Sequence, residues 1–389
     1  MKNKIIAVTG SSGFLAGHLI DELHKENPKK IYCLDLQRGL DITDYHLLKT
    51  FFKIHKVDIV FDLATLPLPL SLINPYRVVS KIIIMALNLC ELCSRGWFRT
   101  LIHISSSEVY GSAISVPMSE DHPLNPITPY ASAKASADLI ILSYYKTFGI
   151  DTAIARCFNA YGERQPVELG GVIPATISRI LQGKSPIIYG NGKQTRDFTY
   201  VKDLVKGIIE VYKCKETRGQ VINIANGEEY SIKEIVEKIC ELLKCSKKII
   251  YKEQRIADVE RHWADTSLAF NLFKFSPQFS LEEGLKRTIN WYKKKWIYDY
   301  NKIAQRAYKL GRLDQEKIKR SDAEDYIREL ESKRKIAAEE IELLISFWLK
   351  RLVGRTSNDG LAITHKDEIQ EHRQQIAKAI LSKYMVVEK

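Results

Sequence analysis

The sequence predicts an α/β fold: a doubly wound parallel sheet of the Rossmann type, a smaller C-terminal substrate-binding part and a helical C-terminal extension. The first observation is that short apolar runs alternate with amphipathic helical patterns from residue 5 to about residue 104. The second is a glycine-rich turn at residues 9–16, directly after the first apolar run. Because parallel connections are right-handed, the two observations together indicate a doubly wound sheet.

The elements follow in order along the chain. Strands are predicted at 5–8, 31–34, 59–61 and 100–104, and helices at 14–25 and 78–93. Beyond about Tyr161 the alternation is interrupted by glycine turns. We therefore expect a dinucleotide-binding part at 1–165 and a substrate-binding part at 166–295, interleaved with each other.

The C-terminal part, residues 296–389, has a different composition. Charges of both signs are dense there, and the stretch 341–354 is a strongly apolar helical segment that ends at a glycine. A membrane span needs about 20 apolar residues, so this segment is too short to be one. We expect a charged helical extension that packs on the core or on a second subunit, with an interfacial membrane helix around Trp348 as the alternative.

Composition limits the classes of protein to which the chain can belong. With 389 residues and 45% hydrophobic content it is long enough to bury a large core. Residues 1–10 begin a strand at once and show no signal-peptide pattern, which predicts a cytoplasmic protein without a transmembrane segment. The seven cysteines suggest neither a disulfide framework nor a metal site. The net charge of +12 is dispersed, so we expect no nucleic-acid partner.

The glycine-rich turn predicts a dinucleotide site. Gly10 and Gly13 allow the backbone to approach a pyrophosphate closely, and the helix that follows offers free N–H groups to it. Asp35 ends the second strand about 20 residues later, where a carboxylate can bind both adenosine ribose hydroxyls. This favours NAD over NADP, although Arg38 nearby leaves NADP as the alternative.

A second motif, Tyr130 and Lys134, predicts proton transfer. The i, i+4 spacing places both side chains on one face of a helix, where an ammonium favours the phenolate form of the tyrosine. Tyr130 is therefore expected to act as a base near neutral pH.

Taken in order, these motifs resemble those of the extended short-chain dehydrogenase/reductase family, in its nucleotide-sugar branch of 4,6-dehydratases, 4-epimerases and decarboxylases. The resemblance covers about residues 1–295 and includes the run 105–111, the segment 156–162, Arg196-Asp197-Phe198 and the segment 255–259. The chain departs from the family pattern in the third glycine position, which is Ala16, in residues 65–69, and at Ile82, where relatives often have asparagine.

The resemblance implies the following site residues. Catalytic candidates are Ser106, Ser107, Glu108, Tyr130 and Lys134. Cofactor-binding candidates are Gly10, Ser12, Gly13, Phe14, Leu15, Asp35, Asp41, Ile42, Leu63, Ala64, Tyr130 and Lys134, with NAD as the cofactor. Candidates for binding a nucleotide-diphosphate sugar are Asn159, Val172, Arg196, Arg255 and Asp258.

Glu108 is expected to decide between activities within the branch. A carboxylate there can take the C5 proton after C4 has been oxidised, which leads to loss of the C6 hydroxyl. The run Ser106-Ser107-Glu108 resembles the Thr-Ser-Glu of GDP-mannose and UDP-N-acetylglucosamine dehydratases, whereas dTDP-glucose dehydratases differ at Ser107. The resemblance thus implies an NAD-dependent nucleotide-sugar 4,6-dehydratase of activated-sugar or polysaccharide biosynthesis, active as a homodimer or higher homo-oligomer. The alternatives are a 4-epimerase, a decarboxylase and a non-catalytic nucleotide-binding protein.

Overall fold

The computed structural model describes residues 1–309, and Met1–Ile297 form one compact unit. Its strands are β1 (Ile5–Thr9), β2 (Lys30–Leu34), β3 (Ile59–Asp62), β4 (Thr100–Ser106), β5 (Asp151–Cys157), β6 (Ala160–Tyr161), β7 (Ile187–Tyr189), β8 (Thr195–Arg196), β9 (Thr199–Tyr200), β10 (Val221–Ile224), β11 (Tyr230–Ser231) and β12 (Ile250–Lys252). Its α-helices are α1 (Phe14–Lys25), α2 (Tyr45–His55), α3 (Leu68–Ile73), α4 (Pro75–Ser94), α5 (Pro129–Phe148), α6 (Val172–Leu181), α7 (Val201–Lys213), α8 (Ile232–Leu243), α9 (Ser267–Phe273) and α10 (Leu281–Lys309).

The central sheet has the order β10-β5-β4-β3-β1-β2, and all of its paired strands are parallel. The chain runs outward from β1 to β2 on one side and from β3 to β5 on the other. The order therefore reverses between β1 and β3, and ligands of such sheets bind outside the carboxyl ends of the strands at that point. This arrangement confirms the predicted doubly wound fold.

Both faces of the sheet are buried, as the apolar strands require. Ile6 and Val8 of β1 point into a core cluster shared with α1 and α7, whereas Ala7 between them points into a cluster shared with α2, α4 and α5. The same alternation holds along β3 and β4. Because successive side chains of a strand point to opposite faces, a continuous apolar run can fill both cores.

Helix α5 carries the tyrosine and lysine motif and has well-defined ends. Its N-cap, Thr128, accepts a hydrogen bond from the backbone N–H of Ala131, and Pro129 occupies the first helical position. Gly149 ends the helix in the left-handed conformation with φ 65°. Thr128 and Pro129 fix where the helix begins, and therefore where Tyr130, its second residue, is placed.

The predicted strands and helices lie within about three residues of those in the structure. Helices α2 and α3 were not identified from the sequence, and β10 adds to the sheet a strand from beyond residue 165. The division at 165/166 stays a prediction. The apolar segment 341–354 and most of the predicted extension lie outside the described residues. Between residues 1 and 309, no helix has the length and apolar character that crossing a membrane would require.

Candidate active site

A cavity of about 1410 Å³ opens at the carboxyl ends of the parallel strands. Every site residue that was predicted from the sequence lines this cavity. These are Gly10, Ser12, Gly13, Phe14, Leu15, Asp35, Asp41, Ile42, Leu63, Ala64, Ser106, Ser107, Glu108, Tyr130, Lys134, Asn159, Val172, Arg196, Arg255 and Asp258. The structure thus brings together residues that are far apart in the sequence, while their individual roles stay predictions.

The glycine turn between β1 and α1 forms one end of the cavity. Gly10 has φ +60°, and a Cβ atom on it would lie 2.8 Å from Cα of Ala64. Gly13 is the N-cap of α1, and no side chain caps the free N–H groups of the first turn. An uncapped helix N-terminus bordered by glycines fits a dinucleotide pyrophosphate.

Asp35 stands beside this turn. One of its carboxylate oxygens accepts from the backbone N–H of Ser12 (3.0 Å) and the other from that of Gln37 (2.9 Å). Each carboxylate oxygen has a further lone pair, so the group can also accept from ribose hydroxyls. Gln37 lines the cavity but Arg38 does not, which favours an unphosphorylated ribose.

Tyr130 and Lys134 both lie on the cavity wall. Burial raises the pKa of Tyr130 to about 12, and hydrogen bonding to Ser106 and Thr65 opposes this only in part. The Lys134 ammonium donates to the carbonyl oxygen of Ile104 (2.7 Å). Burial therefore opposes the effect expected of Lys134, and the role of Tyr130 as a base near neutral pH stays a prediction.

Ser106 and Glu108 are placed by a short 3-10 helix, Ser107–Tyr110, that follows β4. Ser106 is its N-cap, and its hydroxyl oxygen accepts from the Glu108 N–H. Burial raises the pKa of the Glu108 carboxyl above its ordinary value; Arg196 opposes this and Asp258 adds to it. Glu108 is thus a carboxyl of raised basicity on the same wall as Tyr130.

Ser107 also lines the cavity but is almost fully buried, next to His262. Nε2 of His262 lies 2.7 Å from the Gly111 carbonyl oxygen, so Nε2 carries the proton and Nδ1 is an acceptor. Burial, with the Arg196 charge nearby, lowers the pKa of His262 to about 3. Nδ1 lies 3.5 Å from the Ser107 hydroxyl and can accept its hydrogen.

The opposite end of the cavity carries the residues expected to bind the nucleotide. Arg196 donates to the carboxylate of Asp258 (2.6 Å). The Arg255 guanidinium lies 4.3 Å from the ring centre of Tyr189. Nδ2 of Asn159 is buried without a hydrogen-bond partner, which suits it to donate to a bound anion. Arg196 is already paired, so a diphosphate would share it with Asp258.

The sequence reasoning missed several polar residues around the site. Asp62 and His103 are hydrogen-bonded and fully buried behind Lys134, and His262 lies behind Ser107. A signal for the first two was present: His103 interrupts the apolar run of β4, and Asp62 follows directly on the apolar run of β3. Polar residues in such runs are buried only when they have partners, but the sequence does not say which.

Comparisons with known proteins agree with this geometry. The family model described as GDP-mannose 4,6 dehydratase matches residues 18–288. UDP-glucuronate 4-epimerase of Thermodesulfobacterium geofontis is 35% identical over 70% of this chain and 82% of its own length. dTDP-D-glucose 4,6-dehydratase of Bos taurus is 29% identical over 75% of this chain and 89% of its own.

A solved structure shows the same likeness. DesIV, the dTDP-glucose 4,6-dehydratase of Streptomyces venezuelae, was crystallised with NAD and TYD bound. It superposes with a TM-score of 0.71 at 25% identity, covering 76% of this chain and 98% of that one.

Proposed function

Because this chain belongs to the extended short-chain dehydrogenase/reductase family of nucleotide-sugar dehydratases and epimerases, we propose that it is an NAD-dependent nucleotide-sugar 4,6-dehydratase. The observation that carries the proposal is Glu108, a carboxyl of raised pKa on the cavity wall that also carries Ser106 and Tyr130. A base in that position has a use in dehydration that it lacks in C4 epimerisation.

The residues at the glycine turn fit the cofactor. The N–H groups at the start of α1 bind the pyrophosphate, and Asp35 accepts from the adenosine ribose. When bound, NAD supplies the hydride acceptor that oxidises C4 and the donor that later reduces C6. The Lys134 ammonium, held by the Ile104 carbonyl oxygen, lines the same cavity and would contribute a positive charge there.

Two groups transfer the protons of the first half-reaction. The Tyr130 oxygen accepts the proton of the sugar O4 hydroxyl while the Ser106 hydroxyl, hydrogen-bonded to Tyr130, orients that oxygen. Once C4 is a ketone, the proton on C5 becomes acidic, and the Glu108 carboxylate takes it. Protonated Glu108 passes this proton to the C6 hydroxyl, which leaves as water and leaves a C5–C6 double bond. After C6 has been reduced, a proton from solvent adds to C5 and completes the 4-keto-6-deoxy sugar.

A nucleotide-sugar 4-epimerase is the second candidate. It is favoured by the epimerase among the relatives and by Ser107, which is not an acid that could protonate a leaving C6 hydroxyl. In that reaction Tyr130 and Ser106 act in the same way. The 4-keto sugar then rotates within the site, and C4 is reduced on its opposite face. Glu108 would then take no proton.

One experiment separates these functions. The protein is incubated with UDP-, GDP-, CDP- and dTDP-sugars in deuterated water, and the products are analysed by mass spectrometry and NMR. A dehydratase releases a product lighter by one water that carries solvent deuterium at C5. A C4 epimer of unchanged mass without deuterium at C5 would replace the proposal with the epimerase. Absence of any product would indicate a nucleotide-binding protein.

A further inference from the structure

A cluster of ionisable side chains lies buried between the sheet and α5, and one of its members, Lys134, also lines the cavity. Its members are Asp62 on β3, His103 on β4, Arg156 on β5, and Lys134 and Asp138 on α5. Each is 3% exposed or less. Burying a charge is costly unless the charge is paired. The presence of these ionisable groups in one core therefore indicates that they pair with one another.

The hydrogen bonds in the cluster have a definite direction. Nδ1 of His103 donates to one oxygen of Asp62 (2.8 Å), and the Thr9 hydroxyl donates to the other (2.6 Å). Nε of Arg156 donates to one oxygen of Asp138 (2.9 Å). Nε2 of His103 faces the other Asp138 oxygen at 3.9 Å, and neither atom has another partner. His103 therefore stands between two carboxyl groups.

Lys134 belongs to this cluster, because it stands four residues before Asp138 on the same face of α5. Burial lowers the pKa of its ammonium, and Asp62 and Asp138 are the largest influences that raise it, with the Cys157 thiol a smaller one. The Ile104 carbonyl is the acceptor recorded for the ammonium, and a neutral carbonyl does not balance its charge. The two carboxyl groups are thus the counter-charge that the lysine needs.

The cluster also reaches the cofactor end of the cavity. The Thr9 oxygen accepts from the backbone N–H groups of Leu63 and Ala64, both at 3.1 Å. Ala64 is the residue against which Gly10 of the glycine turn is packed. Asp62 therefore joins the backbone of the nucleotide cradle to the surroundings of Lys134.

We propose that Asp62, His103 and Asp138 are positioning residues that keep Lys134 charged and held at the Ile104 carbonyl beside Tyr130. Asp62 and Asp138 supply the negative charge, and His103 holds Asp62 in its ionised form through the Nδ1 hydrogen bond. Consistent with this, hydrogen bonds from His103 and Thr9 and the Lys134 charge keep the pKa of Asp62 below its usual value despite burial. Only the kinetic part of the test rests on the proposed function.

The direct test follows the titration of Lys134 itself. Protein labelled with ¹³C and ¹⁵N in lysine is titrated by NMR, and the Lys134 signal is assigned by its loss in Lys134→Met. In Asp62→Asn and in Asp138→Asn, the titration midpoint of Lys134 should fall by about one unit or more. His103→Leu should lower it as well, whereas His103→Gln, which keeps a donor to Asp62, should restore it.

The control is Asp58→Asn. Asp58 precedes the same strand, β3, at its other end, and its carboxylate accepts from the backbone N–H of Ile5 and from Lys4. It lies outside the cavity, so this variant should leave the Lys134 midpoint unchanged. Unchanged midpoints in folded Asp62→Asn and Asp138→Asn variants would overturn the proposal, and His103→Leu provides the same test if either fails to fold.

The kinetic test uses the pH profile. If Lys134 must be charged for turnover, the falling limb of kcat should move to lower pH in Asp62→Asn, because the ammonium loses its proton sooner. Other groups around the reacting centre, Glu108, Tyr130, Cys157 and Arg156, are unchanged in this variant, and Asp58→Asn should retain the wild-type limb. If the falling limb of kcat does not move although the titration midpoint of Lys134 is lowered, the charge of Lys134 does not limit catalysis. If wild-type protein turns over no nucleotide sugar, the proposed function fails, whereas the NMR titration still decides the role of the cluster.

Discussion

The Tyr130 oxygen is the proposed proton acceptor in either sugar reaction, and phenylalanine in its place removes that one atom and keeps the ring packing. We expect Tyr130→Phe to lower kcat by about 10²- to 10⁴-fold with NAD affinity and melting temperature nearly unchanged. Tyr144→Phe is the matched control, because Tyr144 lies on the same helix and its hydroxyl donates to Glu91, away from the cavity. Turnover of Tyr130→Phe close to wild type would refute the assignment.

The role proposed for Glu108 depends on pH. Burial raises the pKa of this carboxyl, so its base form predominates only at a higher pH than that of an exposed glutamate. Water loss by the wild type should therefore decline on acidification at a higher pH than an exposed glutamate would give. Glu108→Gln should retain C4 oxidation but release almost no dehydrated product.

The control for this variant is Glu120→Gln. Burial also raises the pKa of Glu120, but this residue lies outside the cavity and accepts from the backbone N–H of Asn223, a bond that glutamine can keep. It should dehydrate normally. If Glu108→Gln yields dehydrated product at the wild-type rate, Glu108 is not the base.

Asp35 is expected to set the choice of cofactor. Its carboxylate is held by two backbone N–H groups at the point where the adenosine ribose is expected. Asp35→Ala removes both the hydrogen-bond acceptor and the negative charge. NAD should therefore bind more weakly, and the preference for NAD over NADP should become smaller. Dissociation constants for both cofactors, measured by calorimetry, test this. An unchanged ratio of the two would contradict it.

At the scale of elements, the packing of the β1–α1 turn against the segment after β3 shapes the cofactor cradle. Gly10→Ala would place a methyl group 2.8 Å from Cα of Ala64 in a residue with φ +60°. Backbone has to move on both sides, so we expect NAD binding to be lost and the free energy of unfolding to fall by more than the ~1–2 kcal/mol of a left-handed alanine alone.

Gly39→Ala provides the matched control. Gly39 also has a positive φ, +83°, but an added Cβ would meet no atom within 4 Å. Gly39→Ala should lose only the part of the free energy of unfolding that a left-handed alanine costs, and it should keep NAD binding. Chemical denaturation and cofactor titration of both variants separate steric contact from backbone strain. Equal losses in the two variants would show that the approach to Ala64 is unimportant.

For the whole molecule, α4 and α5 pack side by side on one face of the sheet and leave apolar side chains exposed. Ile84 and Leu87 on α4 are 40% and 37% exposed, and Leu139 on α5 is 58% exposed. Such a patch favours association, and a two-fold pairing with a second copy would cover it. We expect a homodimer by light scattering, and a monomer for the double variant Leu87→Glu/Leu139→Glu.

Ile54→Glu controls for the effect of a charge alone. Ile54 is 65% exposed on α2, away from that patch, so this variant should keep the wild-type mass. A monomeric wild-type protein, or a dimer that persists in the double variant, would rule out this interface.

The sequence by itself determined the fold class, the glycine turn between β1 and α1, and a set of residues that the structure brings around one cavity. These features depend on local signals: alternation along the strands, glycines at 10 and 13, and the four-residue spacing of Tyr130 and Lys134. Each signal acts between near neighbours, so it can be read without knowing how distant segments meet. Because the motifs follow the order that is typical of the family, the sequence also predicted that they belong to one site.

Only the tertiary structure decided the electrostatics of that cavity. The pairs Asp62–His103, Arg196–Asp258 and Ser107–His262 join residues 41, 62 and 155 positions apart. Their proton affinities depend on burial and on partners that no local pattern specifies, which is why the raised pKa of Tyr130 was not foreseen. A spacing of four residues places two side chains on one face of a helix, but what each one touches is set by the strands packed beneath it.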